Sequence, residues 1–302
     1  MEDSIVMTDI AILITVFNRK EKTLRCLDSL RNTRELWSDR IKLTVYLTDD
    51  GSTDGTKEAL LAQDYPFSLR VLQGDGTLFW NGGMIHSWKA ALADGSYDGF
   101  LWLNNDTVVL PDFWEDVLKA DVYSAEKYGK RGIYVGSTRD AKTGAFTYGG
   151  FVYVNKLTLK DQFMIPDGVS FQACEAGHGN ITYVSSEVVK RMGIFTEKYH
   201  HGGSDHDYTY LAHKAGFPVL VLPHYSGECE NDHPKEGRWE ELSALPFRER
   251  LKALNLHNKL LFNRRCFWWR YPIVLLTCGF RALSPKTYRV LYLLFRGGKQ
   301  ED

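Results

Sequence analysis

The sequence predicts an α/β fold, a doubly wound and mostly parallel sheet followed by a C-terminal helical extension. Two patterns carry that expectation. Short continuous apolar runs alternate with segments of helical periodicity, and polar clusters stand at the ends of those runs. Strands covered by helices on both faces are apolar throughout rather than alternating. Such strands alternating with helices mark a parallel sheet.

The elements follow in order. Ile10 to Val16 is the first apolar run, and Leu24, Leu27 and Leu30 recur behind it at helical spacing. Leu43 to Leu47 reads as the second strand, Thr56 to Gln63 as a helix, and Leu69 to Leu72 as the third strand. A helix is expected over Met84 to Ala93 and a fourth strand over Phe100 to Leu103. Ile133 to Val169 has the look of hairpins and turns. Glu187 to Met192 and Tyr208 to Ala215 read as helices, and Leu220 to Pro223 as the last core strand.

Composition bounds the rest. The 302 residues carry a net charge of -1, but unevenly: Phe247 to Lys299 holds twelve Lys or Arg and one acid, Glu249. An acidic body with a basic tail suggests an anionic surface as partner. The expected division is a catalytic domain at 1–240 and a basic, aromatic extension at 241–302. Met1 to Asp9 lacks a basic region with an apolar core, so no signal peptide is expected. The five scattered cysteines fit reduced thiols and a cytoplasmic setting better than a disulfide framework.

Three clusters could carry chemistry. Asp49-Asp50-Gly51-Ser52 closes the second strand, where a carboxylate can accept from a nucleobase N–H; an acidic turn with a helix cap is the plainer alternative. Asn104-Asn105-Asp106 ends the fourth strand, a place suited to a hard divalent cation that shares its shell with phosphates. Gly202-Gly203-Ser204-Asp205-His206-Asp207 opens a helix, and a carboxylate there can serve as base towards a sugar hydroxyl or can simply cap the helix.

Taken together, in this order and at strand ends, these clusters resemble family 2 glycosyltransferases of the GT-A fold, especially bacterial enzymes building capsule, O-antigen or cell-wall glycans. The resemblance runs from about Ile10 to Asp232 and includes Thr15-Val16-Phe17-Asn18-Arg19 and Lys214-Ala215-Gly216-Phe217. It implies an inverting, metal-dependent transfer of a hexosyl or rhamnosyl group from a UDP- or dTDP-sugar. The acceptor implied is a hydroxyl of a growing, lipid-linked glycan, and nucleic acid is not among the expected partners.

Position by position, the resemblance implies that Thr15 and Phe17 line the nucleotide pocket and that Asp49 holds the pyrimidine. Asn18, Asp50, Trp80, Asn81, Gly82 and Asn105 complete the donor-binding set. The stretch Gly74 to Gly83 corresponds to a loop that approaches the diphosphate and sugar. Asp106 matches the last Asp of the metal motif for Mg²⁺ or Mn²⁺, while Asn104 stands where the first Asp is usual. A third ligand would be His224 or His233, both following the last core strand. Asp205 matches the catalytic base, with Ser204 where Glu is usual.

Competing readings are weaker. Cys174-x3-His178 and Cys229-x3-His233 have zinc-like spacing but sit in the sequence of an enzyme cleft. A sugar nucleotidyltransferase would need a Gly-rich loop after strand one, where this chain has Phe17-Asn18-Arg19-Lys20. A non-catalytic partner that kept the fold finds its support in Asn104. In the tail, Arg264, Arg265 and Arg270 with Phe267, Trp268, Trp269 and Tyr271 suit an anionic membrane surface on the cytoplasmic side.

Overall fold

The structure, a computed structural model, describes residues 7–200, 202–231 and 239–295. Contacts divide the chain into two compact units, Met1–Asn231 and Asp232–Asp302.

The first unit opens with strand β1 (Thr8–Val16), helices α1 (Lys20–Asn32) and α2 (Arg34–Trp37), and strand β2 (Ile41–Asp49). Next come α3 (Thr56–Leu61), β3 (Ser68–Gln73), α4 (Phe79–Asp94), β4 (Gly99–Leu103), β5 (Val108–Val109) and α5 (Asp112–Tyr128). A run of strands follows: β6 (Ile133–Arg139), β7 (Phe146–Tyr148), β8 (Gly150–Asn155), β9 (Lys160–Phe163), β10 (Gln172–Ala173), β11 (Ala176–Gly177) and β12 (Ile181–Ser185). Helices α6 (Ser186–Met192) and α7 (Ser204–Lys214) and strand β13 (Val219–Glu228) complete the unit.

The main sheet runs β10-β13-β6-β12-β4-β1-β2-β3, and β11-β8-β9 form a second, small sheet. Strands β3, β2, β1 and β4 are parallel, and β12 enters antiparallel between β4 and β6. Because β2 and β3 lie on one side of β1 and β4 on the other, the chain reverses its winding beside β1. The crevice beyond the carboxyl ends of β1 and β4 is therefore where ligands bind in such sheets.

Both faces of the sheet are covered, as continuous apolar strands require. Ile10, Ile12 and Ile14 of β1 pack with Leu27 and Leu30 of α1 and with Trp114 of α5. Their neighbours Ala11 and Leu13 pack on the other face with Met84 and Trp88 of α4. On that face Trp102 of β4 lies 4.5 Å from Phe195 and 5.4 Å from Tyr208 of α7, ring centroid to centroid. This aromatic contact ties the start of α7 to the end of β4.

Two elements differ from the sequence reading. Helix α4 begins at Phe79, so Phe79 to Gly83 form its first turns and only residues 74–78 remain a loop. The cause is Asp50: its Oδ1 accepts from Gly76 N at 2.9 Å, and its Oδ2 from Leu78 N at 2.9 Å and Phe79 N at 3.0 Å. A carboxylate on these otherwise orphaned N–H groups starts the helix. Gly83 is needed for a different reason, since a Cβ there would collide with the Thr15 side chain. Strand β13 continues past Pro223 to Glu228, which puts His224 inside the strand rather than after it. The ladder to β6 shifts register between Val221 and Tyr225, and such an irregularity accommodates a proline. Helix α5 was not anticipated, although Phe113, Trp114, Val117 and Ala120 bury one face of it.

The second unit contains α8 (Trp239–Ala244), α9 (Phe247–Ala253), α10 (Leu256–Cys266), α11 (Tyr271–Leu283) and α12 (Pro285–Phe295). Arg250 donates to the carbonyl oxygens of Leu245 at 2.7 Å and of Ser243 and Ala282 at 2.9 Å, joining three segments. The ring cluster expected at the surface splits. Phe267 is buried, and Arg270 is buried with Nη1 donating to Asn263 Oδ1 at 2.5 Å, whereas Trp268 is 75% exposed. No helix among the described residues is long and apolar enough to cross a membrane.

Candidate active site

The loops after β1 and β2 are bonded to each other. Asn18, at φ +51°, donates its backbone N–H to Ser52 Oγ at 2.9 Å and accepts from Thr53 N through Oδ1 at 2.7 Å. Asp54 Oδ2 accepts from Lys20 N at 3.0 Å. Asp49, the last residue of β2, is buried with Oδ1 accepting from Ser52 N at 2.8 Å. Thr15 is the penultimate residue of the neighbouring β1, and the Phe17 ring stands 54% exposed at this edge.

Several expected donor-site residues are used inside the protein. Asp50 holds the 76–79 backbone, as above. Asn81 is buried, its Nδ2 donating to the carbonyl oxygens of Thr196 and Tyr199 at 3.0 Å each, which anchors the segment leading to α7. Asn105 Nδ2 donates to Thr23 Oγ1 on α1 at 3.1 Å. Gly82 lies on the face of α4 that borders a cavity of about 530 Å³, with His86, Lys89 and Glu197 among the other lining residues.

Other predicted residues meet directly. Trp80 Nε1 donates to Asn104 Oδ1 at 2.8 Å. The Trp80 ring lies against Gly179, where a Cβ would stand 3.0 Å from the ring and 3.3 Å from the Asp205 Cβ. Gly179 N in turn donates to Asp205 Oδ2 at 2.9 Å. Asn104, Trp80, Gly179 and Asp205 thus form one continuous surface from the end of β4 to the first turn of α7. At the other side of β4's end, Asp106 Oδ2 pairs with Arg19 Nη1 at 2.6 Å. The Cys229 thiol points at Asp106 Oδ1 from 3.8 Å.

His224 is held by α5. Its Nδ1 lies 3.0 Å from Asp116 Oδ2 and 3.2 Å from Oδ1. Burial raises the Asp116 carboxyl, with His224 opposing. Nε2 is therefore the only ring atom His224 could offer a ligand. His233 lies outside the described residues. All five cysteines are buried and none forms a disulfide, and burial pushes the Cys174 thiol up to about 12, which suits a packed thiol rather than a zinc ligand.

Residues 11–152 match the family described as "Glycosyl transferase family 2". Over these residues, just under half of the chain, the sequence is similar to that family.

Among solved structures, the fold of this chain is similar to that of the mannosyltransferase PcManGT from Pyrobaculum calidifontis in complex with GDP-Man and Mn²⁺. The TM-score is 0.53 at 16% identity, over 96% of this chain and 82% of that one. It is also similar to S. aureus TarS 1–349, with a TM-score of 0.55 at 13% identity over 98% and 93% of the two chains. TarS 1–349 in complex with UDP scores 0.54 at 12% identity over the same shares. These likenesses place the fold among GT-A glycosyltransferases. No curated protein matches the chain in sequence.

The donors at the end of β4 fit a hard cation in part. Asp106 has a side chain only 9% exposed and already holds a positive group, Arg19. It lines a cavity of about 190 Å³ together with Asp140, Glu228 and Glu230, and with Lys22 and Arg25. Among the described residues no three His, Cys, Asp or Glu converge as a ligand set. That arrangement suits a cation bound through one carboxylate and completed by phosphate oxygens and water.

Asp205 has a different electrostatic setting. Burial raises its carboxyl, but the imidazoles of His206 and His178 and the amides of Gly179 and His206 outweigh burial and hold it below the ordinary value. The protein therefore presents an ionised carboxylate, 15% exposed, at the start of α7. Arg19, Gly179, His178 and His206 carry much of this geometry, and the sequence reading assigned none of them a role in it. Only Arg19, placed directly after strand one, offered a signal as a counter-charge.

Proposed function

We propose that this glycosyltransferase moves a hexosyl or rhamnosyl group, with inversion, from a UDP- or dTDP-sugar to a hydroxyl of a lipid-linked bacterial surface glycan. The observation that carries the reading is the unbroken surface from Asn104 through Trp80 and Gly179 to Asp205, with Asp106 at its far side. One ionised carboxylate faces the acceptor side, and no second one is needed as nucleophile. A single in-line displacement inverts the anomeric carbon, by the logic that separates one- from two-step glycoside chemistry.

In that displacement Asp205 removes the acceptor proton as the hydroxyl attacks. Arg19 stands beside Asp106 where the leaving diphosphate gathers charge. Phe17 and Asp49 border the base, and Trp80 closes the sugar end. Asp106, with His224 or His233, would hold Mg²⁺ or Mn²⁺, which when bound neutralises charge on the diphosphate. That PcManGT is seen with GDP-Man and Mn²⁺, and TarS with UDP, supports a nucleotide-diphosphate donor of this class.

The test is nucleotide release from a panel of UDP-, dTDP- and GDP-sugars with Mn²⁺, water serving as acceptor. Release from one uridine or deoxythymidine donor well above the others is expected. No release from any would favour the non-catalytic reading.

The tail supports a position on the cytoplasmic face of the membrane. Residues 250–295 contain nine Lys or Arg and no acid. Trp268, Leu276 and Leu283 are 75%, 74% and 70% exposed. Each basic group near an anionic surface adds about 1 kcal/mol, less as salt screens it. Since Arg270 is buried, the informative variant replaces Arg264, Arg265 and Arg289 with Gln. Co-sedimentation with vesicles containing anionic lipid should fall in the variant and at moderate salt. Binding indifferent to both, or absent from the wild type, would count against a membrane position.

A further inference from the structure

The acceptor side of the cleft holds a second titratable pair. His178 follows β11, His206 lies in the first turn of α7, and their ring centroids are 4.6 Å apart at 85°. Phe151 lies 5.7 Å from His178 and 5.0 Å from His206, and Phe163 lies 5.7 Å from His178. His178 Nδ1 sits 2.9 Å from the carbonyl oxygen of Gly149. A carbonyl only accepts, so Nδ1 carries the hydrogen and the ring's orientation is set. His206 Nε2 stands 3.9 Å from Asp205 Oδ2, the oxygen that also accepts from Gly179. The His206 side chain is 31% exposed against 15% for Asp205, so the imidazole is the more open of the two to water.

We propose that His206, braced by His178, is the relay behind Asp205: it takes from the carboxylate the proton that Asp205 removes from the acceptor. The inference rests on the reading of Asp205 as base. As the acceptor O–H bond breaks and its oxygen bonds to the anomeric carbon, the bond from that carbon to the diphosphate oxygen breaks, its electron pair leaving on the diphosphate. The proton goes to Asp205 Oδ2, then to His206 Nε2, then to water, and no redox partner is involved. A neutral imidazole has a lone pair that can take the proton, and His206 Nε2 is the ring nitrogen 3.9 Å from Asp205 Oδ2.

Asp205 and the buried Asp207 come from α7 itself, and Tyr148 of β7 lies 5.3 Å from His178. Phe151 and Phe163 of the small sheet bring no charge. His206 receives the proton only when unprotonated, so the rate falls as acid protonates it.

The experiment measures nucleotide release against pH for the donor selected from the panel, with water as acceptor. The wild type, His206→Gln, His206→Ala and Asp205→Asn are compared. The wild-type rate should fall on acidification before the ordinary carboxylate range is reached. His206→Gln should be about 10- to 10²-fold slower at pH 7.5 and nearly flat down to about pH 5.5. Imidazole in solution should restore part of the loss in His206→Ala. If His206 variants do not fold, the wild-type profile still decides, because an acid limb confined to the carboxylate range overturns the relay. A His206→Gln profile identical to wild type overturns it too, while leaving the base in place if Asp205→Asn is inactive. Retained activity in Asp205→Asn would instead remove the base reading itself.

Discussion

Asp205→Asn should slow nucleotide release by about 10² to 10⁴-fold while leaving donor binding close to wild type. The substitution keeps the size of the side chain and an oxygen that can accept from Gly179 N, which lies 2.9 Å from Asp205 Oδ2. The surface between Trp80, Gly179 and α7 should therefore keep its shape, and only the basic lone pair is lost. A fall in turnover with unchanged donor affinity isolates an interaction made in the transition state. The check is turnover measured beside donor affinity, and a variant that keeps more than a third of the wild-type rate removes Asp205 as base.

Asp106→Ala carries the second large effect. Metal-assisted charge neutralisation is worth several kcal/mol, so a loss of about 10²-fold or more in turnover is expected, with weakened Mn²⁺-dependent binding of nucleoside diphosphate. Arg19, 45% exposed, can turn to solvent once its partner is gone, so the fold should tolerate the change. Excess EDTA should abolish transfer by the wild type. Full activity in EDTA would show that no exchangeable metal is needed and would leave Arg19 as the positive group paired with Asp106. Calorimetric titration of nucleoside diphosphate with and without Mn²⁺, in both proteins, separates the metal's contribution from that of Arg19.

Much of the framework was legible in the sequence, because an apolar run between helical segments has few alternatives. The strands over Ile10–Val16, Leu43–Leu47, Leu69–Leu72 and Phe100–Leu103 all appear within the observed β1 to β4. The placement of Asn18 and Asn104 to Asp106 beyond strand ends followed from the same pattern, whereas Asp49, expected after the second strand, is its last residue. Boundaries were less legible where a distant partner set them. Helix α4 begins before the Gly82-Gly83 pair that local propensity would leave in a loop, because Asp50, nearly thirty positions earlier, holds its first N–H groups. Strand β13 passes Pro223 because its ladder to β6 shifts register there.

The sequence by itself determined the alternation of strands and helices, the basic and acid-free stretch over 250–295, and the kinds of side chain available at each strand end. The tertiary structure decided which of those side chains are committed to the protein's own backbone and which meet across the cleft. Asn81, Asn105 and Asp50 have polar atoms bound internally. Arg270 and Phe267 are buried beside the exposed Trp268, and His224 turns to Asp116. His178 and His206 come within 4.6 Å of each other although 28 positions separate them. The physical reason is that periodicity reports which face of an element is apolar, a local property, whereas hydrogen-bond partners and charge neighbours are chosen by packing between elements far apart in the chain.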